Sequence, residues 1–370
     1  MRRRLALLFA VLVVGALLLE GVARLLCRTD EARRERLLDG DAYWIDRWFA
    51  ARAARATGLE APTTPMNGGE AAILAPGDPL HRRDPRLGWV PSPGLRRDGL
   101  TTSSLGLRGG AEVQFEKKPG ERRLVVVGDS FTFGEGVRDE EVWTDRLAKK
   151  LEQEQRGITL INCAVMGYGL DQQALRLEEL GMKFSPDLVV VGLFGPDLDR
   201  NELTFRDDAK PRFVCDGDGL ELVNVPVPTE EALLATLGRP SVVSYAWAMA
   251  SKGMARLRER SPSAPKWELA RRILDRMRAT AVRGGARLVV AYFPAKPGSF
   301  SRNADRHETV VVEWARARGV PLVNVRDAFV ALGSNRFFDV WHGHWTPFGN
   351  EVVAETIHHR LAELGLLDRR

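Results

Sequence analysis

Ser130 follows Gly128 and Asp129 at the end of the apolar run Leu124-Val125-Val126-Val127, which makes its hydroxyl the first candidate for chemistry in this 370-residue chain. Serine is a poor nucleophile until a base takes its proton, and a histidine oriented by a carboxylate is the usual solution. Two of the six histidines, His342 and His344, lie in the segment Phe338 to Asn350, with Asp339 just before them. That set suits acyl transfer through a serine. Two histidines two residues apart, completed by Asp339, are also a possible metal pair, but no further ligand motif accompanies them. The plain alternatives are a polar turn with an ordinary hydroxyl and loop histidines without a role.

A serine nucleophile also needs donors for the oxyanion that develops on the attacked carbonyl. Two strand-end turns offer them. Asn162-Cys163-Ala164-Val165-Met166-Gly167-Tyr168-Gly169 has glycines that bring backbone N–H groups close to a substrate, and Phe194-Gly195-Pro196-Asp197-Leu198-Asp199-Arg200-Asn201 follows the next apolar run. Each turn is common by itself. With Ser130 they make a constellation at neighbouring strand ends, where ligands of parallel α/β sheets collect.

The elements that must position these residues follow from hydrophobic patterning. Short apolar runs predict strands at Leu124–Val127, Thr159–Asn162, Leu188–Leu193, Arg287–Phe293 and Leu322–Val325. Helical spacing predicts helices at Glu141–Gln153, Gln172–Leu180, Trp267–Arg283, Thr309–Arg318 and Glu351–Leu364. The alternation argues for an α/β fold, a central parallel sheet with helices on both faces. Between about 203 and 265 the rhythm breaks, with a hairpin expected around Asp216-Gly217-Asp218-Gly219 and a helix near Ser244–Arg258. This block reads as an insertion able to cap the site.

Composition narrows the class further. The chain is 44% hydrophobic, enough for a large core, and its formal charge of +5 is spread among 49 acidic residues, so nucleic-acid binding is not indicated. Three cysteines, Cys27, Cys163 and Cys215, lack metal-ligand spacing and leave open only a Cys163–Cys215 bond. Arg2-Arg3-Arg4 precedes an apolar run from Leu5 to Leu19, and the pattern continues through Glu20 and Arg24 to Leu26. That is a membrane-targeting segment with the N-terminus in the cytoplasm, and a retained anchor is favoured over a cleaved signal because no small-x-small site follows. The expected organisation is an anchor at 1–27, a juxtamembrane helix and Gly/Pro-rich linker at 28–80, an extended lead-in at 81–120 and the main domain at 121–370.

From residue 121 onward the chain resembles the SGNH hydrolases, the GDSL esterase and lipase superfamily, in its membrane-anchored bacterial branch. Gly128-Asp129-Ser130 and the extension through Val137 match the first family block, and Gly167 falls where the second block donates a backbone N–H. The third block departs from the family: Gly195-Pro196-Asp197 puts proline where an asparagine donor is expected. Proline has neither a side-chain donor nor a backbone N–H, and losing one such donor costs about 100- to 1000-fold in turnover. Asn201 is the candidate substitute. In the fourth block, Asp339-Val340-Trp341-His342 has the family spacing, while His344 better matches the distance to the following glycine, Gly349.

The resemblance implies a flavodoxin-like three-layer sandwich and a serine esterase that needs no cofactor and no metal. Ser130 would be the nucleophile, His344 or else His342 the base, and Asp339 its orienter. Ser130, Gly167 and Asn201 would supply the oxyanion hole, and Asp129 and Asp197 substrate contacts. The expected substrate is an O-acyl, above all O-acetyl, ester of a cell-envelope carbohydrate, met in the periplasm or outside the cell. The alternatives are an O-acyltransferase acting on an exopolysaccharide and a catalytically silent glycan- or protein-binding module.

Overall fold

In the computed structural model, five strands form the central sheet: β1 (Arg122–Gly128), β2 (Ile158–Asn162), β3 (Leu188–Phe194), β4 (Arg287–Phe293) and β5 (Leu322–Asn324). The structure describes residues 2–27, 40–57, 63–66, 69–72, 79–238, 244–259, 261, 264–295, 305–333, 335–338 and 343–368. The strands lie in the order β2-β1-β3-β4-β5 and every pairing is parallel. The chain reverses direction across the sheet between β1 and β3, which is where such sheets open a crevice for ligands. Gly128 pairs with Gly192 and Phe194 with Phe293, so the carboxyl ends of β1, β3 and β4 finish side by side.

Alternation along each strand builds two apolar layers. Val125 and Val127 point to one, with helices Leu170–Glu179, Pro265–Arg283 and Arg306–Arg318. Leu124 and Val126 point to the other, with helices Trp143–Gln153, Val325–Leu332 and Pro347–Glu363. The expected strands are all present; the helix expected from Glu141 begins at Trp143, and the last two expected helices begin earlier, at Arg306 and Pro347, because polar caps set their starts. Asp305 accepts from the Glu308 N–H and Thr346 from the Gly349 N–H. Helix Val325–Leu332 was not foreseen; Asn324, at the end of β5, caps it.

The N-terminal third departs further from expectation. Residues 28–39 lie outside the described residues, but the helix Gly40–Ala56 is a packed element. Trp48 is fully buried with Phe205, Ala209, Val227 and Leu233, all from the insertion. The stretch 57–79, expected as a linker, contains an antiparallel hairpin, Thr63–Met66 with Gly69–Ala72. The lead-in forms two short hairpins, and its Leu87, Trp89, Val90 and Leu107 join the main core. Within the insertion, the hairpin is Arg212–Asp216 with Gly219–Val223 and the helix is Tyr245–Glu259.

Arg2–Cys27 is one helix, with Leu12, Leu17, Leu18 and Leu19 exposed. Among the described residues no helix is long and apolar enough to cross a membrane; the side chains at 5–8 and 10, inside the apolar run, fall outside them. Glu20 of this helix caps Tyr245–Glu259, accepting from the Ser244 hydroxyl at 2.8 Å and the Ala246 N–H at 3.0 Å. Cys163 and Cys215 are both free thiols, so the bond left open by the sequence is absent. Cys163 is buried, which pushes its thiol up to about 12, and Cys215 is exposed.

Candidate active site

β1 runs directly into a single helical turn, Ser130–Phe133. Asp129 caps it, its Oδ1 accepting from the Phe131 N–H at 3.0 Å, and Gly134 closes it in the left-handed conformation with its N–H on the Ser130 carbonyl at 2.9 Å. Gly128 and Gly192 leave room beneath the turn: a side chain at either would overlap Thr132. Asn162, ending β2, braces the same turn by donating to the Thr132 carbonyl and the Thr144 hydroxyl, both at 2.9 Å.

His344 Nε2 lies 2.8 Å from Ser130 Oγ. A backbone bridge between Phe338 and Trp345 and the Thr346 cap of the last helix hold the histidine segment. Phe131 stacks on Phe194 at 4.3 Å between ring centroids and lies 4.8 Å from the His344 ring, so the histidine rests on the turn that carries Ser130. Both side chains are shut in: Ser130 is 3% exposed and His344 2%. Asp339 and His342 lie outside the described residues. A carboxylate that the sequence reading gave no role, Glu135, places Oε2 3.4 Å from His344 Nε2.

The other proposed site residues form a buried charge cluster behind the turn. Arg200 Nη1 contacts Asp197 Oδ1 at 2.6 Å, Asp129 Oδ2 at 3.1 Å and the Tyr168 carbonyl at 2.8 Å. Burial first, and then the charge of Asp129, raises the Asp197 pKa well above the usual carboxylate range. Burial works against the Arg200 charge, yet the two carboxylates outweigh it and raise its pKa. Asp129 and Asp197, expected as substrate contacts, thus face Arg200 and are wholly buried. Asn201 is also wholly buried, and its Oδ1 accepts from the Asp171 N–H at 3.0 Å, at the start of helix Leu170–Glu179. Gly167 lies in the loop after β2 with φ +81°. That loop is held to its neighbours by Val165 N–H on the Gly128 carbonyl and Trp89 Nε1–H on the Met166 carbonyl.

The segment after Asn201 closes over this arrangement. The wholly buried Lys210 pairs with Asp171 and donates to the Pro211 carbonyl at 3.0 Å. Asp41, at the start of helix Gly40–Ala56, accepts from the Thr204 and Phe205 N–H groups at 2.8 and 3.0 Å. Arg206 is buried beside Asp207 with its guanidinium carbon 4.7 Å from the Trp44 ring centroid. Neither Arg200 nor Arg206 is a candidate on the sequence alone. Arg200 carries a faint signal, one residue before Asn201 in the third block, whereas Arg206 lies in a short charged stretch that reads as solvated surface.

The arrangement can activate a serine: hydroxyl and imidazole are in hydrogen-bond contact at the end of a central strand. A family model described as the GDSL-like Lipase/Acylhydrolase family matches residues 126–352. Among solved structures, TesA is 17% identical, covering 66% of this chain and 99% of its own, with a TM-score of 0.41. A psychrotrophic esterase, EstA from Pseudoalteromonas sp., is 14% identical, with 66% and 98% covered and a TM-score of 0.40. An acetyl xylan esterase, AlAXEase, is 15% identical, with 64% and 97% covered and a TM-score of 0.40. A search of curated proteins gave no match.

Proposed function

Because the chain belongs to the GDSL-like lipase/acylhydrolase family, we propose that it is a serine ester hydrolase that removes O-acyl groups, chiefly O-acetyl, from a cell-envelope carbohydrate. The observation that carries this is the 2.8 Å contact between His344 Nε2 and Ser130 Oγ. Ser130 attacks the acyl carbon while its proton passes to His344, and the carbonyl pair moves onto oxygen. Collapse breaks the bond to the sugar oxygen, which takes the proton. Water, deprotonated by His344, then releases the acid from the acyl-enzyme. Asp339 is the proposed orienter of the imidazole, and the Ser130 and Gly167 N–H groups the backbone oxyanion donors.

The proposed setting is the outer face of the cytoplasmic membrane. Three arginines ahead of the run Leu5–Leu19 and the exposed leucines of helix Arg2–Cys27 support a single retained anchor. A sugar hydroxyl can discharge the same acyl-enzyme, making the protein an acyltransferase; product analysis with and without a polysaccharide acceptor separates the two. A different reading, a silent binding module, is favoured by one residue, Pro196, which offers no oxyanion donor.

The test is a fluorophosphonate probe and an aryl acetate applied to the full-length chain and to Ser130→Ala. Labelling and hydrolysis are expected in the wild type, in a band that stays with membranes through carbonate extraction, and both vanish in the variant. A folded wild type that neither labels nor hydrolyses would establish the silent-module reading instead.

A further inference from the structure

Pro196 removes one oxyanion donor, and the fold brings another donor against Gly167. Arg206 comes from the insertion, is 6% exposed, and lies against Gly167. A methyl group on Gly167 would collide with Arg206 Nη1, and it would approach Asp207 Oδ2 to 2.6 Å and Trp89 Cζ2 to 3.2 Å. Gly167 is the glycine whose N–H the family block assigns to the oxyanion hole. The Arg206 Nε–H is buried and finds no acceptor among the described residues. Burial lowers the Arg206 pKa and the Arg200 charge adds to that, while Asp207, Glu135 and Asp129 favour the charged guanidinium; Glu135 is itself 3.4 Å from the imidazole that contacts Ser130.

We propose that Arg206 is a catalytic residue that donates to the oxyanion from the cap, in place of the asparagine that Pro196 displaces. The proposal rests on the serine-esterase reading of Ser130 and His344. The donor is pre-positioned: Asp41 fixes the backbone at 204–205, Arg206 N–H bonds to the Asp208 carbonyl at 2.9 Å, and the guanidinium lies over Trp44. A charged donor makes a stronger hydrogen bond to a developing anion than an amide does, the more so where water is excluded. During attack the Ser130 proton goes to His344 and the carbonyl pair to oxygen; Arg206 keeps its proton throughout and returns to Asp207 when the tetrahedral species collapses.

The experiment is aryl acetate kinetics on the full-length chain. In Arg206→Gln, kcat is expected to fall about 100- to 1000-fold with KM changed by less than about threefold. The pair Arg206→Ala with Asp207→Ala removes both charges of this ion pair, so it guards against the misfolding that stranding one of them would cause. It should show the same loss, and added guanidinium ion should restore part of the rate, which a merely structural arginine would not allow. A double variant with kcat within about threefold of wild type, or a loss that guanidinium leaves unchanged, overturns the role of Arg206. A wild type without hydrolysis would sink the esterase reading itself, so the two failures are distinct.

Discussion

Ser130 is held by backbone: a capped helical turn continuous with β1, a glycine closure at Gly134, and a strand ladder on either side. Arg206 is held by side chains that reach in from elsewhere: Asp41 and Trp44 from helix Gly40–Ala56, and the Lys210–Asp171 pair that anchors its segment to helix Leu170–Glu179. The nucleophile region therefore has a geometry written into consecutive residues. The cap has one that exists only once distant segments have met. A family can keep the first unchanged and rebuild the second, and the move of a donor from the third block to the cap would be such a rebuilding.

Breaking the cap should have the largest effect. Lys210→Met strands the wholly buried Asp171 carboxylate without its partner, at a cost of about 3–5 kcal/mol in denaturant unfolding. Hydrogen exchange in the variant should rise first in residues 40–56 and 203–223 while β1 to β4 stay protected. Uniform loss across the sheet would mean that cap and sheet are a single cooperative unit.

Striking the sheet side should cost less but reach the nucleophile directly. Gly192→Ala places a methyl group into Thr132 and within 2.9 Å of the Phe293 ring, an overpacking of about 1–3 kcal/mol. Because Thr132 belongs to the Ser130 turn, kcat should fall along with Tm; a full-rate enzyme would show that the turn tolerates displacement.

The smallest effect is expected at the seam between the loop after β3 and helix Arg306–Arg318. His307 Nε2 lies 3.0 Å from Asp199 Oδ2. Burial lowers the His307 pKa, but the Asp199 hydrogen bond and charge outweigh it, and the net shift is upward. The folded form then binds the proton more tightly than the unfolded one. The contribution is complete below the ordinary histidine pKa of about 6.5 and is lost as pH rises through the higher folded value. Wild type should lose more thermal stability than Asp199→Asn between about pH 6 and about pH 9. Equal slopes would remove His307 from the account.

The sheet was legible because its three central strands are short apolar runs buried on both faces, and because Gly128-Asp129-Ser130 announces its own turn. The choice of His344 as the histidine at Ser130 was legible from the spacing to Gly349. A juxtamembrane helix is expected from Thr29 to about Arg55, but the partners of Gly40–Ala56 are not: the spacing of Trp44 and Trp48 says that one face is apolar and nothing about residues 205–237. Asp129 and Asp197 looked available to substrate because a sequence does not reveal that Arg200 stands between them. Arg206 was invisible for the same reason: a charged stretch says nothing about which of its members turns inward.

One consequence follows from the 3% and 2% exposure of Ser130 and His344. Where an ester reaches Ser130 only when the residues around it part, the fraction of molecules open at any instant is the fraction available. If that fraction is about one in a hundred, apparent affinity for every ester falls about 100-fold while the turnover of molecules already loaded is untouched. The Michaelis constant of this enzyme would then gauge how often it opens as much as how well it grips an ester, and whatever holds it open would act as an activator without ever touching the chemistry.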